Sequence, residues 1–321
     1  MQKNFCFPQA FEDFPKDQLI LKLCVRIHGV PIKIFTQNQS KLDQLQTELP
    51  LAWQLKSDAN SSTEKFAPEL LAAEKFVEIF WHSPESWYER SVPECEIEFH
   101  NEVEYAIQRD FAGQLTLSEQ GSPQILLLCP FENEDGFFNA LRWILPRYLL
   151  SSSQALLHSS CVIGRDGLAY FFLGPSGAGK TTVTRLRGDR DVLGDDMNVL
   201  TLNHEGVFAQ LGYFGQAIQS PLSLGVRIPV GGIFFLKQSE QNFLKNISKG
   251  EAARRFAASC ANLFWQETGK SLAPAVLSLT SDVLNRIPFW ELNFNLTGGF
   301  WHYVDGETQA IDRSTLAESW N

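Results

Sequence analysis

ALLHSSCVIGRDGLAYFFLGPSGAGKTT, residues 155–182, decides how the chain folds. It opens as an apolar run carrying His158, breaks at Gly164, Arg165, Asp166 and Gly167, and resumes in LAYFFL (168–173). Glycines bracketing two polar residues suit a tight turn, so the pattern predicts two antiparallel strands joined as a hairpin. LAYFFL lacks polar alternation and reads as a strand buried on both faces. It runs directly into GPSGAGKTT (174–182), and TTVTRLR (181–187) can begin a helix.

A strand, a glycine loop and a helix form the context in which G-x-x-x-x-G-K-[ST] holds a triphosphate. Here the fixed positions are Gly174, Gly179, Lys180 and Thr181, with Pro175, Ser176, Gly177 and Ala178 between them and Thr182 after. Small side chains let successive backbone N–H groups turn inward around phosphates, at the positive end of the helix. Lys180 is placed to reach the β- and γ-phosphates, and the Thr181 hydroxyl to coordinate Mg²⁺. ATP and Mg²⁺ are the expected cofactors.

VLGDDMNVL (192–200) puts Asp195 and Asp196 directly after a short apolar run, with Asp195 fifteen residues beyond Lys180. A helix of about two turns and one tight return fill that gap. The acidic pair is therefore expected on a strand neighbouring the P-loop strand, close to Mg²⁺ and the γ-phosphate. Two adjacent carboxylates can divide labour there, one holding metal and the other taking a proton from an incoming hydroxyl. The spacing leaves open which does which. A lone histidine on a strand commonly packs into a core, but His158 lies on the arm paired with the P-loop strand and is a candidate to reach the site.

Further upstream the chain is rich in strand signals. Leu21, Leu23, Val25 and Ile27 alternate with polar neighbours, His28-Gly29 turns the chain, and Val30, Ile32 and Ile34 alternate again. CEIEFH, EVEYAI, QLTLSE and QILLLC continue the pattern to Pro130, so an antiparallel sheet is expected across 1–130. A short helix with Leu42, Leu45 and Leu49 on one face, and a polar loop at 55–65, interrupt it. EDGFFNALRWILPRYLL (134–150) has helical spacing at Phe138, Leu141, Ile144 and Leu145. The fold class expected is α/β with a mixed sheet. Residues 1–130 form a β-rich N-terminal domain for a substrate or partner, and 131–321 a P-loop domain.

Composition narrows the partners. With 27 Lys+Arg against 37 Asp+Glu, the net charge of −10 opposes nucleic-acid or anionic-membrane binding, because both need a positive field. Phosphate must therefore be held by local groups. Cys6, Cys24, Cys95, Cys129, Cys161 and Cys260 are scattered with no CxxC pair, which fits a reduced compartment better than a zinc or disulfide framework. No signal-like stretch opens the chain and no run of 18 apolar residues occurs, so a cytoplasmic protein without membrane spans is expected. A homo-oligomer stays open.

The hairpin, the loop and the acidic pair together resemble the superfamily of HPr kinase/phosphorylase and ATP-dependent phosphoenolpyruvate carboxykinase. The carboxykinases are similar in GPSGAGKTT and GDD, the HPr kinases in LLHSS, GRDG, GPSGAGKTT and LGDD. RIPVGGIFFLKQSEQNFLKNISKGEAARRF, with a capping box at Ser248 and Glu251, is similar to HPr-kinase-like proteins encoded beside peptide-maturation enzymes. The resemblance covers roughly 150–300. It implies that 174–182 bind ATP, that Asp195 and Asp196 supply metal ligand and general base, and that His158 positions or polarises that base. The reading that follows is transfer of phosphate from ATP to a Ser/Thr-type hydroxyl of a peptide or protein. Its γ-phosphate would need one cation beyond Lys180, for which Arg227, Arg254 and Arg255 are candidates, though arginines at such positions are more commonly solvated or structural.

Two other readings compete. An ABC-type or generic NTPase would use the same loop, but no LSGGQ-like segment and no later strand ending Asp-Glu occur. A nucleotide-binding adaptor without turnover would use Phe289, Trp290, Phe294, Phe300 and Trp301 as a partner surface. Intact Lys180, Thr181, Asp195 and Asp196 favour an active enzyme over an adaptor.

Overall fold

A computed structural model describes residues 11–12, 14–40, 43, 76–84, 96–101, 103–119, 121–130, 134–212, 226–261 and 269–310. The helix expected on Leu42, Leu45 and Leu49 and the loop expected at 55–65 lie outside the described residues. The chain divides into two compact units, the first ending at Leu145 and the second beginning at Pro146.

The first unit holds seven strands, β1 (Ile20–Ile27), β2 (Val30–Thr36), β3 (Val77–His82), β4 (Glu96–His100), β5 (Val103–Ile107), β6 (Ala112–Leu117) and β7 (Pro123–Leu128), and the start of α1 (Glu134–Ser151), which runs on past Leu145. In β2 every second residue is buried, as the alternation predicts. His28 (φ 48°) and Asn101 (φ 50°) take left-handed backbone in the β1–β2 and β4–β5 turns. The strand order is β1-β2-β3-β7-β6-β5-β4. The sheet is not antiparallel throughout, because β2 with β3 and β3 with β7 pair in parallel. VEIFWH, which forms β3, has Ile79, Phe80 and Trp81 buried in succession, so no alternation marks it as a strand. Trp81 stacks on Phe137 of α1 with centroids 4.7 Å apart, and its indole N–H donates to the Cys129 carbonyl at 3.0 Å.

The second unit carries the hairpin expected from the sequence. β8 (Gln154–Ile163) pairs antiparallel with β9 (Ala169–Leu173), and α2 (Lys180–Arg185) follows. Then come β10 (Val192–Gly194), β11 (Met197–Asn203), β12 (Gly206–Leu211), β13 (Ile228–Gln238), β14 (Phe243–Asn246), α3 (Lys249–Ala261), α4 (Gly269–Leu284), β15 (Phe289–Phe294) and α5 (Trp301–Ala310). β9, β13 and β15 run parallel, with β13 in the middle. Antiparallel strands flank them, so this sheet is mixed as expected. β14 lies in FLKN, between β13 and α3, a stretch where no strand was expected from the sequence.

Successive residues of the parallel strands pack into two cores. Phe171, Leu173, Ile233, Phe235 and Phe289 meet Phe256 of α3 and Val283 of α4. Phe172, Phe234, Leu292 and Phe294 meet Val183 of α2 and Val304 of α5. Burial on both faces explains why LAYFFL reads as a continuous apolar run. It also fixes α2, and hence the glycine loop before it, at the carboxyl ends of the parallel strands, where open α/β sheets place ligands. Cys24, Cys129, Cys161 and Cys260 are all buried and unbridged.

Candidate active site

The loop between β9 and α2 is shaped by its glycines. Gly177 (φ 77°) and Gly179 (φ 107°) take backbone that other residues rarely adopt. A Cβ on Gly179 would lie 2.5 Å from Cζ of Phe294, the last residue of β15, so the chain passes there only as glycine. The Gln238 side chain at the end of β13 donates to the Gly177 carbonyl at 2.8 Å and holds the loop tip. Gln238 lies in KQSEQ, where nothing local marks it for this task.

Lys180 opens α2 but folds back over the loop. Its ammonium donates to the Gly174 carbonyl at 3.0 Å and the Pro175 carbonyl at 3.2 Å, and the residue is only 7% exposed. Burial pushes its pKa below the ordinary lysine value, while the Asp196 carboxylate pulls it back up. A cation half stripped of water beside turned-in backbone fits an incoming phosphate better than it fits its present carbonyls. Thr181 and Thr182 follow on α2 and are partly buried, and the Thr181 carbonyl accepts the Thr184 hydroxyl at 2.8 Å.

Asp195 and Asp196 sit elsewhere than on a strand neighbouring β9. They occupy a break between β10 and β11, which run end to end along one edge of β8, and β8 lies between them and β9. Residue spacing gave the distance along the chain but not the intervening strand. The pair still returns to the loop. Ser159 N–H donates to the Asp196 carbonyl at 2.7 Å, and His158 Nε2 lies 3.0 Å from Asp196 Oδ1. The His158 and Asp196 side chains are 29% and 24% exposed, whereas Asp195 is buried. Asp196 thus lies beside His158 and within electrostatic reach of Lys180.

Not every candidate joins them. Arg227 is exposed on the approach to β13. Arg254 pairs with Glu251 at 2.8 Å, and Arg255 pairs with Glu291 at 2.9 Å while lying over the Phe235 ring. Phe235 belongs to the core under α3, so Arg255 is occupied away from α2. Phe289, Trp290, Phe294, Phe300 and Trp301 are at most 6% exposed, which makes them core residues and not a partner surface. Among the described residues, no group of three or more His, Cys, Asp or Glu could hold a metal. The oxygen donors among the expected metal ligands, the Thr181 hydroxyl and the Asp195 and Asp196 carboxylates, are too few to close a magnesium shell without phosphate oxygens or water.

A family model for the SynChlorMet cassette protein ScmC matches residues 137–308, more than half of the chain. The chain belongs to the ScmC family. The matched region takes in His158, the glycine loop, both aspartates and the parallel strands, so the candidate site lies wholly within the ScmC part. No curated protein matches the chain. No described helix is long and apolar enough to cross a membrane.

Proposed function

We propose that this ScmC-family chain is an ATP-dependent phosphotransferase of the HPr-kinase-like superfamily, acting on a Ser/Thr-type hydroxyl of a peptide or protein during peptide maturation. The observation that carries the reading is the Asp196 carboxylate, 3.0 Å from His158 Nε2 and felt electrostatically by Lys180 of the glycine loop. Transfer of a phosphoryl group needs a phosphate cradle, a cation and a nearby proton acceptor, and these residues supply all three. The family's place in a cassette supports a peptide as acceptor.

In this reading the backbone of 174–182 and Lys180 hold the β- and γ-phosphates. Thr181 and Asp195 hold Mg²⁺, which neutralises phosphate charge when bound. Asp196 takes the proton of the acceptor hydroxyl as the acceptor oxygen bonds to the γ-phosphorus and the bond to the ADP oxygen breaks. His158 keeps that carboxylate turned toward the acceptor.

The test is incubation of the full chain with labelled ATP, Mg²⁺ and the peptides encoded in the same cassette, read by mass spectrometry. Label on a serine or threonine, lost with Asp196→Asn, is the expected result. ADP without labelled peptide would leave an NTPase, and neither product would overturn the reading altogether.

A further inference from the structure

We propose that Asn198 is the positioning residue that sets the Asp195-Asp196 break against His158, an inference that rests on the phosphotransferase reading. Asn198 is the second residue of β11 and is wholly buried. Its amide nitrogen faces three acceptors. These are the Ser159 carbonyl at 2.8 Å, the Ser159 hydroxyl at 3.2 Å and the Gly194 carbonyl at 3.3 Å. Gly194 closes β10 immediately before the acidic pair, and Ser159 follows His158 on β8. One side chain therefore ties the strand entering the break to the residue beside the histidine. The return tie is the bond from Ser159 N–H to the Asp196 carbonyl. With both flanks pinned to β8, the Asp196 carboxylate has little freedom to leave His158.

Asn198 is an uneconomical choice for a strand position. Its neighbours Met197, Val199 and Leu200 are buried apolar residues, which satisfy a strand interior without any polar atom to desolvate. Its own Oδ1 is buried and meets no protein donor, so half of the amide gains nothing. What the residue gains is concentrated in Nδ2, on the two residues that frame Asp195, Asp196 and His158. Because Nδ2 faces the Ser159 and Gly194 carbonyls, the opposite amide orientation would set an oxygen against both of them.

The test compares Asn198→Ala, Asn198→Ser and Asp196→Asn in the full chain by ring ¹⁵N–¹H NMR of the six histidines. The His158 signal is assigned with His158→Gln. With Asn198→Ala, the His158 resonances are expected to move toward the positions they take in Asp196→Asn, while the other histidines hold theirs. ADP formation from ATP should fall about 10–100-fold, with the KM for ATP changed less than about two-fold, as for a displaced catalytic group. Asn198→Ser keeps one donor and should fall between, and it carries the comparison if the alanine variant does not fold. Unmoved His158 resonances in the folded variants would overturn the proposal. So would a joint shift of all the histidines with a lowered melting temperature, which is the mark of a merely structural role. If the wild-type chain forms no ADP, the phosphotransferase reading falls, and the His158 comparison still decides the role of Asn198.

Discussion

Lys180 holds its charge where water scarcely reaches, and that has a consequence for pH. Desolvation lowers its pKa below 10.5, with Asp196 opposing. In the window between the lowered value and 10.5 the unfolded chain binds more protons than the folded one, so this group's contribution to stability rises with pH there. A bound phosphate favours the ammonium and raises the pKa again. ATP binding in alkaline buffer should therefore take up a proton, and affinity should weaken as pH rises through the lowered value. Calorimetry in two buffers of different ionisation heat reads that proton, and equal heats would disprove it. Asp196→Asn tests the neighbouring group. It should leave the melting temperature nearly unchanged and lower phosphoryl transfer by about 10²–10⁴-fold, the usual contribution of a general base. Retained activity in a folded Asp196→Asn chain would remove Asp196 from the chemistry. Gly179→Ala is expected to cost about 1–3 kcal/mol from backbone strain alone. With Phe294 in the way, it should also weaken nucleotide binding, and both are read in one thermal-shift series with and without ATP.

At the level of elements, the features legible in the sequence are those with local causes. The β8–β9 hairpin follows from glycines bracketing a polar turn, and β9 from a run buried on both faces. The Gly177 and Gly179 conformations follow from the absence of a Cβ. Pairings between distant strands leave no such mark, which is why β3 and its parallel pairing with β2 and β7 escaped notice. The Asp pair was legible by its distance from Lys180, but the strand between it and β9 was not, because spacing counts residues and not sheet neighbours. Gln238 and Asn198 were invisible for the same reason, since Gln238 acts through Gly177, 61 positions away, and Asn198 reaches Ser159, 39 positions away. The capping box of α3 was half right. Ser248 Oγ accepts the Glu251 N–H at 3.2 Å, but the Glu251 carboxylate turns to Arg254. Ser248→Ala should accordingly cost about 0.5–2 kcal/mol in denaturant unfolding, the loss of one cap. No change would mean that the cap is made by water instead.

For the whole molecule, what matters is where the candidate chemistry lies relative to the two compact units. His158, Lys180, Asp195, Asp196, Asn198 and Gln238 all belong to the second unit, which begins at Pro146. The first unit has its own buried set, in which Trp81 is 1% exposed, stacks on Phe137 and donates to the Cys129 carbonyl. Trp81→Ala empties that position and should cost about 3–5 kcal/mol in unfolding followed by circular dichroism. Because the candidate phosphate site belongs to the second unit, affinity for a non-hydrolysable ATP analogue should stay as in the wild type. Phosphate transfer to a cassette peptide answers a different question. If the first unit receives the acceptor, the same variant loses transfer while keeping nucleotide affinity and ADP formation. If transfer persists undiminished in the weakened chain, acceptor binding belongs to the second unit along with the phosphate. A fall in nucleotide affinity itself, with the second unit still folded, would show that the phosphate site is not the property of the second unit alone.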